Sequence, residues 1–275
     1  MDLSKVKLIV SDMDGTLLNS KEEVSDLFFE QFNELQKLGI HFIAASGRQY
    51  NSMVHKLQPI KDQITIIAEN GGIAKRKEEL ILMQIIDPDK IAMILPTIRK
   101  IPNIFVVFCS EHTAFIESKD PKLIDMFKEY YGAYEIVNDL ATVSNQVPIL
   151  KIALYHSKSS EKYIYPELQQ FKNELLLKIS GKNWLDISEY ASNKGTALKA
   201  VQERMNISPS ETMVFGDYMN DIEMMDRAYF SYAMKNAHPD IVKTASFITE
   251  SNNDFGVEKV LAKVIESKRL SQSSS

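Results

Sequence analysis

Asp12 and Asp14 stand two residues apart at the end of an apolar run, Val6-Lys7-Leu8-Ile9-Val10-Ser11, and are followed by Gly15-Thr16. Inside a strand, alternation would put both carboxylates on one face with like charges close together. At the carboxyl end of a strand in an open α/β sheet, the pair opens instead into the crevice where ligands bind. A divalent cation there would offset the repulsion. The pair therefore reads as a site for an anionic substrate held through a metal, against the blander reading of an exposed acidic turn before Gly15.

Three other places carry polar residues where a strand ends or a helix begins: Ser46-Gly47, Lys194, and Asp217 with Asn220 and Asp221. In a parallel sheet all strand carboxyl ends lie along one edge, so residues far apart in sequence meet there. These carboxylates, a hydroxyl and an ammonium make a kit for phosphoryl transfer. The carboxylates suit magnesium, a hard cation that takes oxygen ligands and keeps substrate phosphate in its shell. Lys194 and Ser46 suit phosphate oxygens, helped by backbone N–H groups of the loops after Asp12 and Ser46. Ser46 also reads as a helix cap, and Asp217 and Asp221 as helix-capping or first-turn acids. Capping and anion binding are compatible at a helix amino terminus.

The elements that must position these groups follow from the hydrophobic pattern. Val24, Leu27, Phe28, Phe32 and Leu35 recur at helical spacing, with Gly39 as the stop. Residues 41–45 form a buried strand ending at Ser46-Gly47-Arg48, and 64–68 a third strand running into Glu69-Asn70-Gly71-Gly72. Strand, helix, strand, helix, strand with short turns predicts an α/β fold with a doubly wound, mostly parallel, Rossmann-like sheet. Between about 82 and 186 the pattern changes to close-spaced strands and helices, with Pro96 expected to end or kink a helix and 161–171 to form one. This predicts an inserted α+β domain over 84–186, the core being 1–83 and 187–275. The parallel pattern resumes with a helix opened by Lys194-Gly195, a strand at 212–215, another at 229–234, and a closing helix carrying Val257, Val260, Leu261 and Val264.

The composition is that of an ordinary globular protein, 44% hydrophobic and 25% charged, with a net charge of −5. Without clustered Lys and Arg, a nucleic-acid partner is not expected, whereas a small phosphorylated metabolite is. No signal-peptide pattern opens the chain and no stretch is apolar enough to span a bilayer, so a cytoplasmic location with no membrane partner is expected. The lone cysteine, Cys109, lies in an apolar run and reads as a core residue. The five histidines lack metal-ligand spacing. Phe105, Phe108, Tyr130, Tyr131 and Tyr134 could line a pocket in the inserted domain but read better as packing, as does Trp184. The Ser-rich tail from Ser267 is expected to fray. No Gly-rich nucleotide loop appears, so a kinase or ATPase is not supported.

Together the motifs resemble the haloacid dehalogenase-like superfamily: Asp-x-Asp-Gly-Thr at 12–16, Ser46, Lys194 and Gly-Asp-x-x-Asn-Asp at 216–221. Ala-Ser-Gly-Arg at 45–48, Glu-Asn-Gly-Gly at 69–72 and Asn-Lys-Gly at 193–195 resemble its Cof-like phosphatase subfamily, which carries a large α/β cap between its second and third motifs, at the position of the inserted domain. The resemblance spans essentially the full chain. It implies that Asp12 is the nucleophile, forming an aspartyl-phosphate, and that Asp14 is general acid and then general base. Magnesium would be held by Asp12, the backbone carbonyl of Asp14 and Asp217. Phosphate would be held by Ser46, Gly47, Lys194, Asn220 and the Met13 backbone N–H, with Asp221 orienting Lys194 or a metal-bound water. Tyr218 departs from the smaller polar residue of many relatives. The expected activity is magnesium-dependent hydrolysis of small phosphomonoesters, such as sugar phosphates or phosphorylated cofactors, with a cap that covers the core and excludes bulk water. The alternatives are a sugar-phosphate mutase using the same residues and a non-catalytic phospho-ligand sensor.

Overall fold

A computed structural model describes residues 2–128 and 131–273. The chain forms two compact units, one of Met1–Gly47, Met53–Leu82 and Asn193–Ser275, the other of Arg48–Ser52 and Met83–Ser192. The first unit begins with β1 (Leu8–Asp12), α1 (Asp26–Lys37), β2 (His41–Ala45), most of α2 (Tyr50–Lys56), β3 (Thr65–Ala68), β4 (Ile73–Arg76) and all but the last residue of β5 (Glu79–Met83). The second contains α3 (Pro88–Ile98), β6 (Ile104–Cys109), β7 (Ala114–Ile116), α4 (Pro121–Lys128), β8 (Tyr134–Ile136), α5 (Leu140–Ser144), β9 (Lys151–His156), α6 (Ser160–Tyr163), α7 (Tyr165–Leu168), β10 (Leu176–Ile179) and β11 (Trp184–Ser188). The first unit is completed by α8 (Lys194–Met205), β12 (Thr212–Gly216), α9 (Ile222–Met225), β13 (Phe230–Ala233), α10 (Pro239–Thr244), β14 (Phe247–Ile248) and α11 (Gly256–Ser273).

Among the described residues the first unit holds an eight-stranded sheet in the order β14-β13-β12-β1-β2-β3-β4-β5. From β14 to β3 all pairs are parallel, and β4 turns back antiparallel on β3. Every residue of β1 is buried, as befits a central strand covered on both faces. On one face Leu8, Val10, Ile43, Ile67 and Val214 pack with Ala197, Leu198 and Val201 of α8 and with Met224 and Met225 of α9. Phe42 points the other way and meets Phe28 of α1, ring centroids 5.0 Å apart. Because Phe28 and Phe32 take the buried positions of α1, the neighbouring Leu27 is exposed, contrary to its expected place on the apolar stripe. Chain order runs outward from β1 through β2 on one side and through β12 on the other. The carboxyl ends of β1 and β12 therefore adjoin where the winding reverses, which is where such sheets bind ligands.

Among the described residues the second unit holds a six-stranded sheet in the order β10-β11-β9-β6-β7-β8, antiparallel except for β7 with β8. One face packs Phe108, Ile152, Leu154, Leu185 and Ile187 against Ile91, Ile94 and Leu95 of α3 and Leu140 of α5. The other gathers Phe105, Val107, Cys109 and Ala153 with Phe127 and Tyr131. Cys109, Phe105, Phe108 and Tyr131 are thus core residues, while Tyr130 lies outside the described residues. The expected boundary after 186 falls inside β11, which pairs with β9 and β10, and the chain leaves this unit only after Ser192.

Three local expectations are corrected. Helix α3 continues past Pro96 to Ile98, since a single proline near the end of a helix forfeits one backbone bond and Arg99 N still reaches Leu95 O at 3.0 Å. The expected helix over 161–171 is broken into short pieces at Ile164, just ahead of Pro166. The carboxyl-terminal helix extends to Ser273 instead of fraying from Ser267, with Arg269 paired to Glu34 of α1.

His41 opens β2 and is buried, its Nε2 2.8 Å from Thr65 Oγ1 on β3. Burial, with the Arg76 charge adding to it, pushes the imidazole down to about 4 from its ordinary 6.5. The unfolded chain therefore takes up a proton that the folded one resists. The stability tied to the neutral ring is whole above pH 6.5 and is lost as pH falls toward 4, by up to roughly 3 kcal/mol. Urea unfolding at pH 7 and pH 4.5 is expected to show a smaller loss in His41→Gln, which cannot charge, than in the wild type.

Candidate active site

Asp12 is the last residue of β1, at the edge where the winding reverses. Beyond it the chain folds back on itself: Thr16 N and Leu18 N donate to Met13 O at 3.3 and 2.8 Å, and Leu17 N to Asp12 O at 3.2 Å. The turn needs a left-handed residue, supplied by Gly15 at φ +79°, and a Cβ there would collide with the Asp217 carboxylate. Met13 is buried and Asp14 exposed.

Lys194 is the first residue of α8. Asn193 caps that helix by accepting from Thr196 N at 2.8 Å. This start places the whole Lys194 side chain in the interior, with its Nζ donating to Asp12 Oδ1 and to Asp221 Oδ1, the latter at 2.7 Å. Asp221 closes the short turn Met219–Asp221 after β12, and its Oδ2 accepts from Asp217 N at 3.0 Å and Tyr218 N at 3.1 Å. Gly216 makes room for it, because a Cβ there would sit 2.7 Å from the Asp221 carboxyl. Thr16 Oγ1 donates to Asp217 Oδ1 at 3.1 Å.

Oxygens of Asp12, Asp217 and Asp221 all lie within 4.8 Å of one another. Three carboxylates against one ammonium leave a surplus of negative charge in a buried place, and a set of hard oxygens fits a hard divalent cation. Asp221 has already committed both oxygens, to Lys194 and to two backbone amides, so Asp12 and Asp217 are the acids with capacity for a ligand. The electrostatics agree. Burial and the Asp221 and Asp217 charges push the Asp12 carboxyl well above its ordinary range, against the pull of Lys194. Burial and Asp221 push Asp217 up to about 6. Burial works against the Lys194 ammonium, but the Asp12 and Asp221 charges outweigh it and hold the group protonated. A bound cation would return both raised acids to their charged forms.

Ser46 is buried after β2, its N donating to Ile67 O at 2.9 Å and its O accepting from Asn70 N at 3.0 Å. Gly47 follows against Asn70, and Asn220 Nδ2 donates to Asn70 Oδ1 at 3.0 Å.

A family model described as haloacid dehalogenase-like hydrolase matches residues 9–261, most of the chain. The chain belongs to that family. The 5-amino-6-(5-phospho-D-ribitylamino)uracil phosphatase YbjI of Escherichia coli is 28% identical over 264 residues, 95% of this chain and 97% of its own length. YcsE of Bacillus subtilis, a phosphatase of the same name, is 26% identical over 257 residues, 93% and 94% of the two chains. The solved structure of SMU.1108c from Streptococcus mutans superposes with a TM-score of 0.84 at 28% identity, covering 95% of this chain and 99% of that one. This hydrolase is thus an enzyme of the phosphatase class.

The structure brings Asp12, Lys194, Asp217 and Asp221 into one cluster and sets Ser46, Gly47 and Asn220 around Asn70; the exposed Asp14 side chain is not one of the three clustered acids. Sequence reasoning gave no role to Thr16, Asn70, Asn193 or Asn236, whose Nδ2 donates to Gly15 O at 2.8 Å. The first three stand inside the motifs and could have been questioned there; Asn236 carries no signal.

The charge balance predicts opposite stability effects. Asp221→Ala removes the better-satisfied partner of a fully buried ammonium and frees two loop amides, so the urea midpoint is expected to fall by roughly 3–5 kcal/mol equivalent. Asp12→Asn removes a charge that the fold resists and leaves Lys194 paired with Asp221, so the same measurement is expected to stay level or rise.

Proposed function

We propose that this hydrolase removes phosphate from small phosphomonoesters, sugar phosphates or phosphorylated cofactors, by double displacement on Asp12. The observation that carries the reading is the buried Asp12 carboxylate, held by Lys194 beside Asp217 at the switch point of the sheet. Asp12 attacks phosphorus, the ester P–O bond breaks, and Asp14 gives its proton to the departing alcohol. Water then attacks the same phosphorus, Asp14 takes up the proton, and the Asp12–phosphorus bond breaks to free inorganic phosphate. The exposure of Asp14 supports this role, because it must meet both a leaving alcohol and a water.

Magnesium would be held by Asp12, the Asp14 backbone carbonyl and Asp217, and supplies charge neutralisation between an anionic nucleophile and an anionic substrate. Lys194, Ser46, Gly47, Asn220 and the Met13 N–H hold the phosphate oxygens, and Asp221 fixes Lys194. Two relatives named for a phosphorylated ribitylaminouracil support the phosphorylated-cofactor half of the substrate class.

Asp12→Asn is expected to abolish phosphate release from an aryl phosphate in magnesium buffer, with the circular dichroism spectrum unchanged. Wild-type turnover in that variant would remove Asp12 as the nucleophile. Stripping the protein with a chelator is expected to lower turnover to background, with magnesium restoring it. Free inorganic phosphate as product, rather than an isomeric sugar phosphate, separates hydrolysis from mutase chemistry.

A further inference from the structure

Asn70 lies in the turn Glu69–Gly71 after β3, all of it buried. Its three residues are consecutively left-handed, with φ of 51°, 55° and 97°. Two of them carry side chains, and residues with a Cβ adopt this conformation only where their surroundings over-determine it. The surroundings are three other loops of the site. Asn70 N donates to Ser46 O at 3.0 Å. The Asn70 carboxamide fills the space a Cβ on Gly47 would need, lying 2.9 Å from that position. Gly71 lies so close to the Asn193 carbonyl, immediately before Lys194, that a Cβ would clash. From this clamped position Asn70 Oδ1 accepts from Asn220 Nδ2 at 3.0 Å, across 150 residues of sequence.

We infer that Asn70 is a positioning residue whose side chain fixes the Asn220 carboxamide for phosphate. The inference rests on the reading of Asn220 as a phosphate ligand. With one N–H of Nδ2 held by Asn70, the second points in a fixed direction in the amide plane. A neutral carboxamide is the acceptor that does this without adding negative charge near three clustered carboxylates. Asparagine is also the non-glycine residue best suited to a left-handed position.

The test is a double-variant cycle read by the inhibition constant of inorganic phosphate, with KM and kcat on an aryl phosphate. Asn70→Gly keeps the backbone at ease and removes only the carboxamide. It is expected to weaken phosphate binding about tenfold, the scale of losing orientation of one hydrogen bond to a charged group, with a smaller change in kcat. Asn220→Ala is expected to weaken it at least as much, and Asn70→Gly/Asn220→Ala no further than Asn220→Ala alone. A side chain that only supported the fold would instead show effects that multiply. Phosphate binding within about twofold of wild type in Asn70→Gly beside a weakened Asn220→Ala, or full multiplication in the double variant, would overturn the proposal while leaving Asn220 as a ligand. Unchanged binding in Asn220→Ala would remove Asn220 from the phosphate site and the proposal with it. Asn70→Asp, isosteric and tolerant of the same backbone, covers the case of a poorly folding glycine variant. Its charge is expected to weaken phosphate binding at least about tenfold, and binding within about twofold of wild type would overturn the proposal.

Discussion

An ammonium group with no access to solvent has to be balanced where it lies, and Lys194 is balanced by Asp12 and Asp221. Each of those acids belongs to a different part of the chain, one ending β1 and the other closing the turn after β12. The ion cluster therefore ties the start of α8 to both central strand ends. Removing Lys194 or Asp221 leaves buried charge without its main partner, which costs far more than the net worth of the pairing itself, whereas Asp12 can lose its charge with Lys194 still paired to Asp221. The arrangement is not neutral, however, because a third carboxylate, Asp217, sits within reach. The fold tolerates that surplus negative charge by raising the Asp12 and Asp217 proton affinities, and a divalent cation relieves the same surplus. Stability and chemistry draw on one set of charges.

The loops around the cluster are shaped by what cannot fit as much as by what bonds. Gly15 lacks a Cβ because the Asp217 carboxylate occupies its space, Gly216 because Asp221 does, and Gly71 because the Asn193 carbonyl does. These close approaches bring backbone to side chain at the carboxyl edge of the sheet, where donors must converge on one small anion. Asn70 belongs to the same construction. Its left-handed turn is held by Ser46 on one side and by the start of α8 on the other, and it presents an acceptor to Asn220.

Much of the first unit was legible because its strands are short apolar runs ending in polar motifs, and β1, β2, β3, β12 and β13 lie where that pattern puts them. Other strands were not. Edge strands such as β5, Glu79–Met83, have exposed or half-buried residues and so carry little periodic signal. In the second unit β8 and β10 are short and partly exposed, and their identity depends on which neighbour they pair with. Pro96 and Pro166 act by position: one is absorbed near the end of a helix, the other accompanies the break at Ile164. The tail stays helical past Ser267, and there Arg269 pairs with Glu34, a partner more than two hundred residues away.

The sequence by itself determined the family, the parallel core, and the set of groups from which the site is made, because each motif sits at the end of a strand or the start of a helix whose apolar pattern is local. Only the tertiary structure decided how those groups divide their valences. By local pattern Asp221 is a capping or first-turn acid like Asp217, and only the resemblance gave it the task of orienting Lys194 or a metal-bound water; in the structure its two oxygens are spent on Lys194 and on two amides, while Asp217 keeps capacity for a ligand. Asn70 reads as a turn residue until Asn220 is found against it. Hydrogen-bond commitments and charge balance are properties of groups brought together from distant parts of the chain, and no local pattern encodes them.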